Sequence, residues 1–186
     1  MAWYGQRVDA LTPDGRGWLL TGPDSTSYGR FDIVVIAVPA PQAVELIGEH
    51  SRLGGPLSTV KMDPCWSVSA TWEQPLKTEF DAIELTGAIG WATRERSKPN
   101  RPSGEAWVIH GSSAWSRDHL DTPAADVGPA LVDEFLSFLP GESTRPQTMS
   151  AHRWQYSRVC NPLGVEALWD GDKRIGVCGD MCLGGR

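Results

Sequence analysis

The 186-residue sequence contains no Gly-x-Gly-x-x-Gly turn, no run of basic residues and no apolar stretch long enough to cross a bilayer. Its longest apolar run, residues 33–41, falls well short of the roughly 20 residues a membrane helix needs. The N-terminus lacks the charged and apolar regions of a signal peptide. A soluble, cytoplasmic protein is therefore expected, with no membrane partner. Seventeen Lys and Arg are scattered among 23 Asp and Glu for a net charge of −6, which provides no field for a phosphate backbone and argues against nucleic acid as a partner. Four cysteines are too few for a disulfide scaffold. Cys178, Cys182 and His152 lack the paired spacing of a zinc site, so no metal is expected. Ser112, Ser113 and Ser116 lie near His110 and His119 in sequence, but without a Gly-x-Ser-x-Gly elbow they do not read as a hydrolase.

What is present is a core. Nine Trp and 40% hydrophobic residues suffice for one or two globular domains. Residues 7–11 and 17–21 read as a hairpin around Pro13-Asp14-Gly15. A buried strand at 32–38 follows, and then a helix opened by Pro41 and carrying Val44, Leu46 and Ile47. The continuous Ile33-Val34-Val35-Ile36-Ala37-Val38 run is what a strand covered on both faces requires.

Beyond residue 58 the period becomes two. Trp66, Val68, Ala70 and Trp72 share one face and Ser67, Ser69 and Thr71 the other, as in a sheet with one buried side. Further antiparallel strands are expected at 83–91, 106–110 and 151–157. Val127, Leu131, Phe135, Phe138 and Leu139 fall on one face of a helix, whose start is either Thr122-Pro123 or, because Pro129 opposes the helical ladder, Asp126. A last strand at 174–177 runs into Cys178-Gly179-Asp180-Met181-Cys182-Leu183-Gly184-Gly185-Arg186. There a Gly-Asp step and a Gly pair release the backbone toward a ligand.

These segments resemble the renalase-like branch of the FAD-dependent amine oxidase superfamily. The resemblance is carried by Phe31-Asp32-Ile33-Val34-Val35-Ile36-Ala37-Val38-Pro39-Ala40-Pro41-Gln42, Pro64-Cys65-Trp66, Ser97-Lys98-Pro99-Asn100-Arg101, Trp115-Ser116, His152-Arg153-Trp154-Gln155-Tyr156 and the final Cys-Gly-Asp motif. In that family the final motif usually reads Cys-Gly-Asp-Trp-Cys and continues into a Val-Glu-Gly-Ala helix; here Met181 replaces the Trp. The family's opening strand, Gly-x-Gly-x-x-Gly turn and helix, which hold the FAD pyrophosphate, have no counterpart. The chain therefore reads as the middle and later part of such a protein, either trimmed or naturally reduced.

The fold class implied is α+β / α/β. A mostly antiparallel substrate-domain sheet with a packed helix (58–158) is inserted into Rossmann-like, NAD(P)-binding-type segments of an FAD-binding domain (1–57 and 159–186). The activity implied for the complete enzyme is oxidation of isomeric dihydronicotinamide dinucleotides, with hydride transfer to FAD and O2 as acceptor. The alternatives are a flavin-dependent amine oxidase and, from another class, a non-catalytic ligand- or partner-binding remnant lacking FAD. FAD is the expected cofactor of the complete protein, held weakly or not at all by this chain alone.

Cofactor-binding positions implied are Ala37, Val38, Pro39, Gly179, Asp180, Gly184, Gly185 and Arg186, with Asp180 accepting hydrogen bonds from ribityl hydroxyls. His152, Trp154 and Tyr156 alternate onto one strand face and, with Trp91 and Arg94 as an opposite wall, form the expected substrate slot. No catalytic side chain is obligatory, because the cofactor accepts the hydride.

Overall fold

A computed structural model of the chain describes residues 2–141 and 144–185. In chain order the elements are β1 (Ala10–Asp14), β2 (Gly17–Thr21), β3 (Ser27–Phe31), β4 (Val34–Ile36), α1 (Ala40–Ile47), α2 (Gly54–Ser58), β5 (Met62–Trp72), β6 (Ala82–Glu84), β7 (Ile89–Arg94), β8 (Glu105–Gly111), α3 (Ser113–Asp118), α4 (Ala124–Ser137), β9 (Thr148–Val159), β10 (Leu168–Asp170), β11 (Ile175–Val177) and α5 (Asp180–Leu183). They form two compact units, Met1–Met62 with Val159–Arg186, and Asp63–Arg158.

In the first unit the β-branched runs of β4 and β11 pair in parallel, Val34 opposite Ile175 and Ile36 opposite Val177, and β10 extends this sheet antiparallel to β11. Val34, Ile36, Ile175 and Val177 bury their side chains with Ala40, Ala43 and Ile47 of α1 and Leu57 of α2. Each fully buried aliphatic side chain contributes about 1.5–3 kcal/mol. Pro41 sits in the first turn of α1, where its missing N–H costs nothing. A second sheet, β1-β2-β3, is tied to the β10–β11 turn by Trp18, whose buried indole donates to the Lys173 carbonyl at 2.8 Å.

The expected two-sided cover of the 33–38 run is not found. Ile33 is 56% and Val35 61% exposed. Only Val34 and Ile36 face the core; Val35 lies in register with Gly176 and Trp169 on the sheet's other side, which no element of this unit covers among the described residues.

The second unit is a five-stranded antiparallel sheet ordered β6-β7-β8-β5-β9. Trp66, Val68, Ala70 and Trp72 of β5 are buried, with Trp107 and Ile109 of β8, against Val127, Leu131, Val132 and Phe135 of α4. The single strand expected at 83–91 is two strands, because the chain turns back between β6 and β7 through Gly87 at φ +107. α4 begins at Ala124, after Pro123, and continues through Pro129. A mid-helix Pro forfeits a hydrogen bond at about 3 kcal/mol. Four large apolar side chains buried on the same helix offset that loss.

Candidate functional site

In the first unit the sequence-derived positions converge at the carboxyl ends of the two parallel strands. The Cys178 amide donates to the Ile36 carbonyl at 3.0 Å. Ala37-Val38-Pro39 leaves β4 and Gly179-Asp180 leaves β11 beside it. In open α/β sheets this edge is where ligands bind. Ala37, Gly179 and Asp180 are exposed, and Val38 and Pro39 half-buried. Gly179 turns the chain with φ +120, a value side-chain-bearing residues rarely adopt, and α5 follows.

The Gly184 amide closes α5 by donating to the Asp180 carbonyl at 2.7 Å. Gly185 passes the Asp180 carboxylate closely enough that a Cβ there would stand 3.6 Å from Oδ2. The 163–165 segment steadies α5 from behind, its Leu163 and Gly164 amides donating to the Met181 and Cys182 carbonyls at 3.0 and 2.8 Å. Arg186 lies outside the described residues. Cys182 is buried, and that burial, followed by the nearby Cys178, raises its thiol pKa. It stays a protonated packing group.

A groove of about 390 Å³ adjoins Val38 and is lined by Gln6, Arg7, Val8, Gln42 and Glu45 among others. It is not legible from residue pattern, because 7–11 reads as strand throughout, whereas β1 starts only at Ala10.

An exposed carboxylate and open backbone at a strand's carboxyl end fit the polyol and ring edges of a flavin. The phosphate-holding turn of such a cofactor has no counterpart in these residues.

In the second unit, the sheet face away from α4 carries Trp91, His152 and Trp154 of the five positions expected to line a substrate slot. Glu84, Trp91, His110 and Ser67 form one row across four strands, each in register with the next. On β9 the ring of His152 meets Trp154 edge-on at 4.6 Å between centroids, and both are exposed. Thr148 and Thr71 hydroxyls bond at 2.6 Å, while Met149 and Ala151 lie beside Gly128 of α4. Alternation therefore places His152 on the open side with Thr148. Tyr156 is half-buried, its hydroxyl accepting from Gln155 at 3.3 Å.

Arg94 is a correction. It does not share a wall with Trp91, because residues three apart on a strand point to opposite faces. Its side chain is 6% exposed and pairs with Glu105 at 3.1 Å and Asp81 at 3.1 Å. It also donates to the Leu76 carbonyl at 2.9 Å and lies 5.0 Å from the Trp107 ring centre. Arg94 Nε stands at ion-pair distance from Glu105 without hydrogen-bond alignment. This is a buried structural pair on the helix side of the sheet.

His110, which sequence reading set aside with the serines, faces the open side next to Trp91. Burial, and secondarily the charge of Lys98, lower its pKa, so the imidazole is neutral near pH 7. The signal available in sequence was its place in the alternation of β8, where Trp107 and Ile109 are buried and the even positions half-buried.

No family model matches the chain. Renalase of Mus musculus is 25% identical to it over 152 residues, 73% of this chain and 43% of the renalase. A solved protein from Exiguobacterium sp. described as a protoporphyrinogen oxidase superposes with a TM-score of 0.71 at 17% identity, over 95% of this chain and 42% of that one. Cyclohexylamine oxidase from Brevibacterium oxydans gives 0.69 at 13% identity, over 95% and 43%. The chain shares the fold of these two solved oxidases, and it is similar in sequence to renalase, spanning 43% of that relative's length. Among the described residues no helix is long and apolar enough to cross a membrane, and no group of three or more metal-ligating side chains is gathered.

Proposed function

We propose that this chain forms part of an FAD-dependent oxidoreductase of the renalase kind, acting on isomeric dihydronicotinamide dinucleotides with O2 as the final acceptor. The observation that carries the reading is the parallel pairing of β4 with β11, which brings Ala37-Val38-Pro39 and Gly179-Asp180 to one carboxyl edge in a renalase homologue. Asp180 would accept hydrogen bonds from the ribityl hydroxyls. The backbone at Ala37, Gly184 and Gly185 would pass close to the cofactor, because two of these residues have no side chain and the third only a methyl. When bound, FAD supplies the hydride acceptor.

The protein's own contribution to the reaction is orientation. The domain roles follow the same reading, with 63–158 receiving substrate and the remaining segments holding the cofactor. On the open sheet face Trp91 and Trp154 offer flat apolar surface on which a planar ring can lie, and His152 steadies Trp154 from its edge.

The test is stopped-flow spectroscopy on a longer protein in which this chain is joined to the superfamily's phosphate-binding segment. Reduction of bound FAD by dihydronicotinamide isomers, faster than by primary amines, is expected. Reduction by amines alone would replace this reading with an amine oxidase, and a longer protein that binds no FAD would leave the ligand-binding remnant.

A further inference from the structure

β7 carries one residue more than β8 can match. Ile89 and Ala92 are fully buried, whereas Trp91 between them is 41% exposed on the open face. Strict alternation would put Ile89 and Trp91 on one side of the sheet. The register shows why they part. Ile89 is opposite Gly111 and Trp91 opposite His110, so Gly90 is a β-bulge, an insertion that bends its strand and re-aims the neighbouring side chain. Toward β6 the strand keeps step: the Leu85 amide donates to the Gly90 carbonyl at 3.2 Å, and Glu84 is opposite Trp91. The extra residue is therefore confined to the β7–β8 seam.

Ser112, the residue after β8, holds the bulge. Its amide donates to the Ala88 carbonyl at 2.8 Å and its hydroxyl to the Gly87 carbonyl at 2.7 Å, so it grips the β6–β7 turn at two points. A Cβ at Gly90 would come 3.2 Å from the Ser112 Cα. Ser112 cannot retreat freely, because it also caps α3, accepting the Trp115 amide on its side chain at 3.3 Å and the Ser116 amide on its carbonyl at 2.8 Å. The rival register, continuing without a bulge from Ile89 opposite Gly111, would set Trp91 opposite Ile109. The indole would then enter the fully buried slot of Ala92 and overpack the core around α4, and Arg94 would turn away from Glu105.

We propose that Gly90 and Ser112 are positioning residues, which through the bulge set the angle at which Trp91 presents its ring on the open face. The role of that ring rests on the oxidoreductase reading above; what is added is the device that orients it. Neither Gly90 nor Ser112 needs to touch a ligand. Their effect passes through Trp91 alone, and that separates them from residues that merely keep the sheet folded.

Two variants test this, Gly90→Ala and a deletion of Gly90. The deletion removes the bulge but leaves Ile89 and Trp91 on opposite faces, since they become neighbours in the strand. In the 186-residue chain, labelling with 5-fluorotryptophan gives a fluorine resonance for each of nine Trp, and Trp91→Phe identifies one of them. Both variants should move the Trp91 resonance and leave those of the buried Trp18, Trp66, Trp72 and Trp107 in place. In the longer flavin-carrying protein both should retain flavin and bind a dihydronicotinamide isomer within about threefold of the parent. Flavin reduction at saturating substrate should slow about tenfold or more, because the ring is held off its reacting orientation. In a Trp91→Ala background Gly90→Ala should slow it no further, as residues that act as one unit are not additive.

An unmoved Trp91 resonance, a reduction rate equal to the parent's in both variants, or an added loss in the Trp91→Ala background each overturns the proposal. So does a slowed rate accompanied by displaced resonances of the buried tryptophans, which marks general damage to the sheet. If the deletion variant does not fold, Gly90→Ala decides. The oxidoreductase reading fails separately: a longer protein that binds no flavin, or whose flavin no dihydronicotinamide reduces, overturns that reading alone. The fluorine resonances of the shorter chain then still decide whether Gly90 orients Trp91.

Discussion

The Cys178 amide donates to the Ile36 carbonyl at 3.0 Å, one step beyond the last register pair of β4 and β11. Two chain segments more than 140 residues apart therefore leave parallel strands at one point, each into a turn that opens a helix. The geometry comes from the strand pairing and owes nothing to a bound ligand. On the reading proposed above it would supply one side of a dinucleotide site; a glycine-rich turn whose amides take up phosphate charge is not among these 186 residues.

The first prediction follows from that division. The 186-residue chain, purified by itself, should be colourless, because it lacks the glycine-rich turn and helix N-terminus whose amides hold the pyrophosphate of such a cofactor. Visible absorbance after desalting checks it; a yellow preparation with stoichiometric flavin overturns it.

In the longer flavin-carrying protein, Asp180→Ala should lower flavin affinity by roughly ten- to a hundredfold. A charge-assisted hydrogen bond to a hydroxyl is worth about 1.5–3 kcal/mol. Asp180 is exposed and its side chain closes no bond of α5, so folding should be nearly unchanged. Flavin retention after dialysis, beside an unfolding curve, separates the two effects.

Arg94→Met should destabilise the protein by up to about 3 kcal/mol, since it takes the nearest cation from Glu105, 1% exposed, and leaves it only Arg96 at 3.5 Å and the Trp107 indole N–H at 2.8 Å. Arg94→Met with Glu105→Leu should recover much of the loss, because two apolar groups need no partner. Urea denaturation of both variants and the parent measures this. Equal instability of the single and double variants would show that packing on Trp107, not charge, is what Arg94 supplies.

Period-two alternation in β5 and the i, i+4 spacing of α4 were legible in the sequence, because burial on one face constrains every second or every third-to-fourth residue. The bulge was not. Ile89-Gly90-Trp91 reads as ordinary alternation, and only the pairing of β7 with β8 shows that it breaks. Arg94 was misread because charge in a strand suggests an exposed site, whereas Glu105, eleven positions on, neutralises it inside the core. The converging turns after β4 and β11 were legible only through family resemblance. Composition alone does not say that two short apolar strands so far apart will pair in parallel.

Asp170 should make stability pH-dependent in acid. The Ser51 hydroxyl donates to its carboxylate at 2.6 Å. That bond first, then the Lys173 amide, Arg52 and the Asp172 amide, hold its pKa below the ordinary value, against the opposing effect of burial. A depressed carboxylate stabilises the fold above the unfolded pKa of about 3.9, and this is lost as pH falls through the lower folded value. Asp170→Asn should therefore be less stable than the parent at neutral pH, with the gap closing below about pH 4. Thermal unfolding from pH 7 to 3 checks the sign; a gap that widens in acid would reverse it.

His152→Ala, in the longer protein, should leave flavin bound and slow its reduction by substrate. His152 and Trp154 lie exposed on β9, at one edge of the sheet. An exposed substitution away from caps and ion pairs changes stability by only about 0.5 kcal/mol. A fall in rate larger than that allows must therefore come from the substrate contact. What the substitution removes is the edge-on support of the Trp154 ring, so a ring resting there is held less closely to its reacting orientation. Such misplacement acts on the transfer step more than on binding. Stopped-flow reduction at saturating dihydronicotinamide isolates that step. A rate equal to the parent's would place the substrate elsewhere on the sheet, and a loss of bound flavin would mean that His152 supports the cofactor.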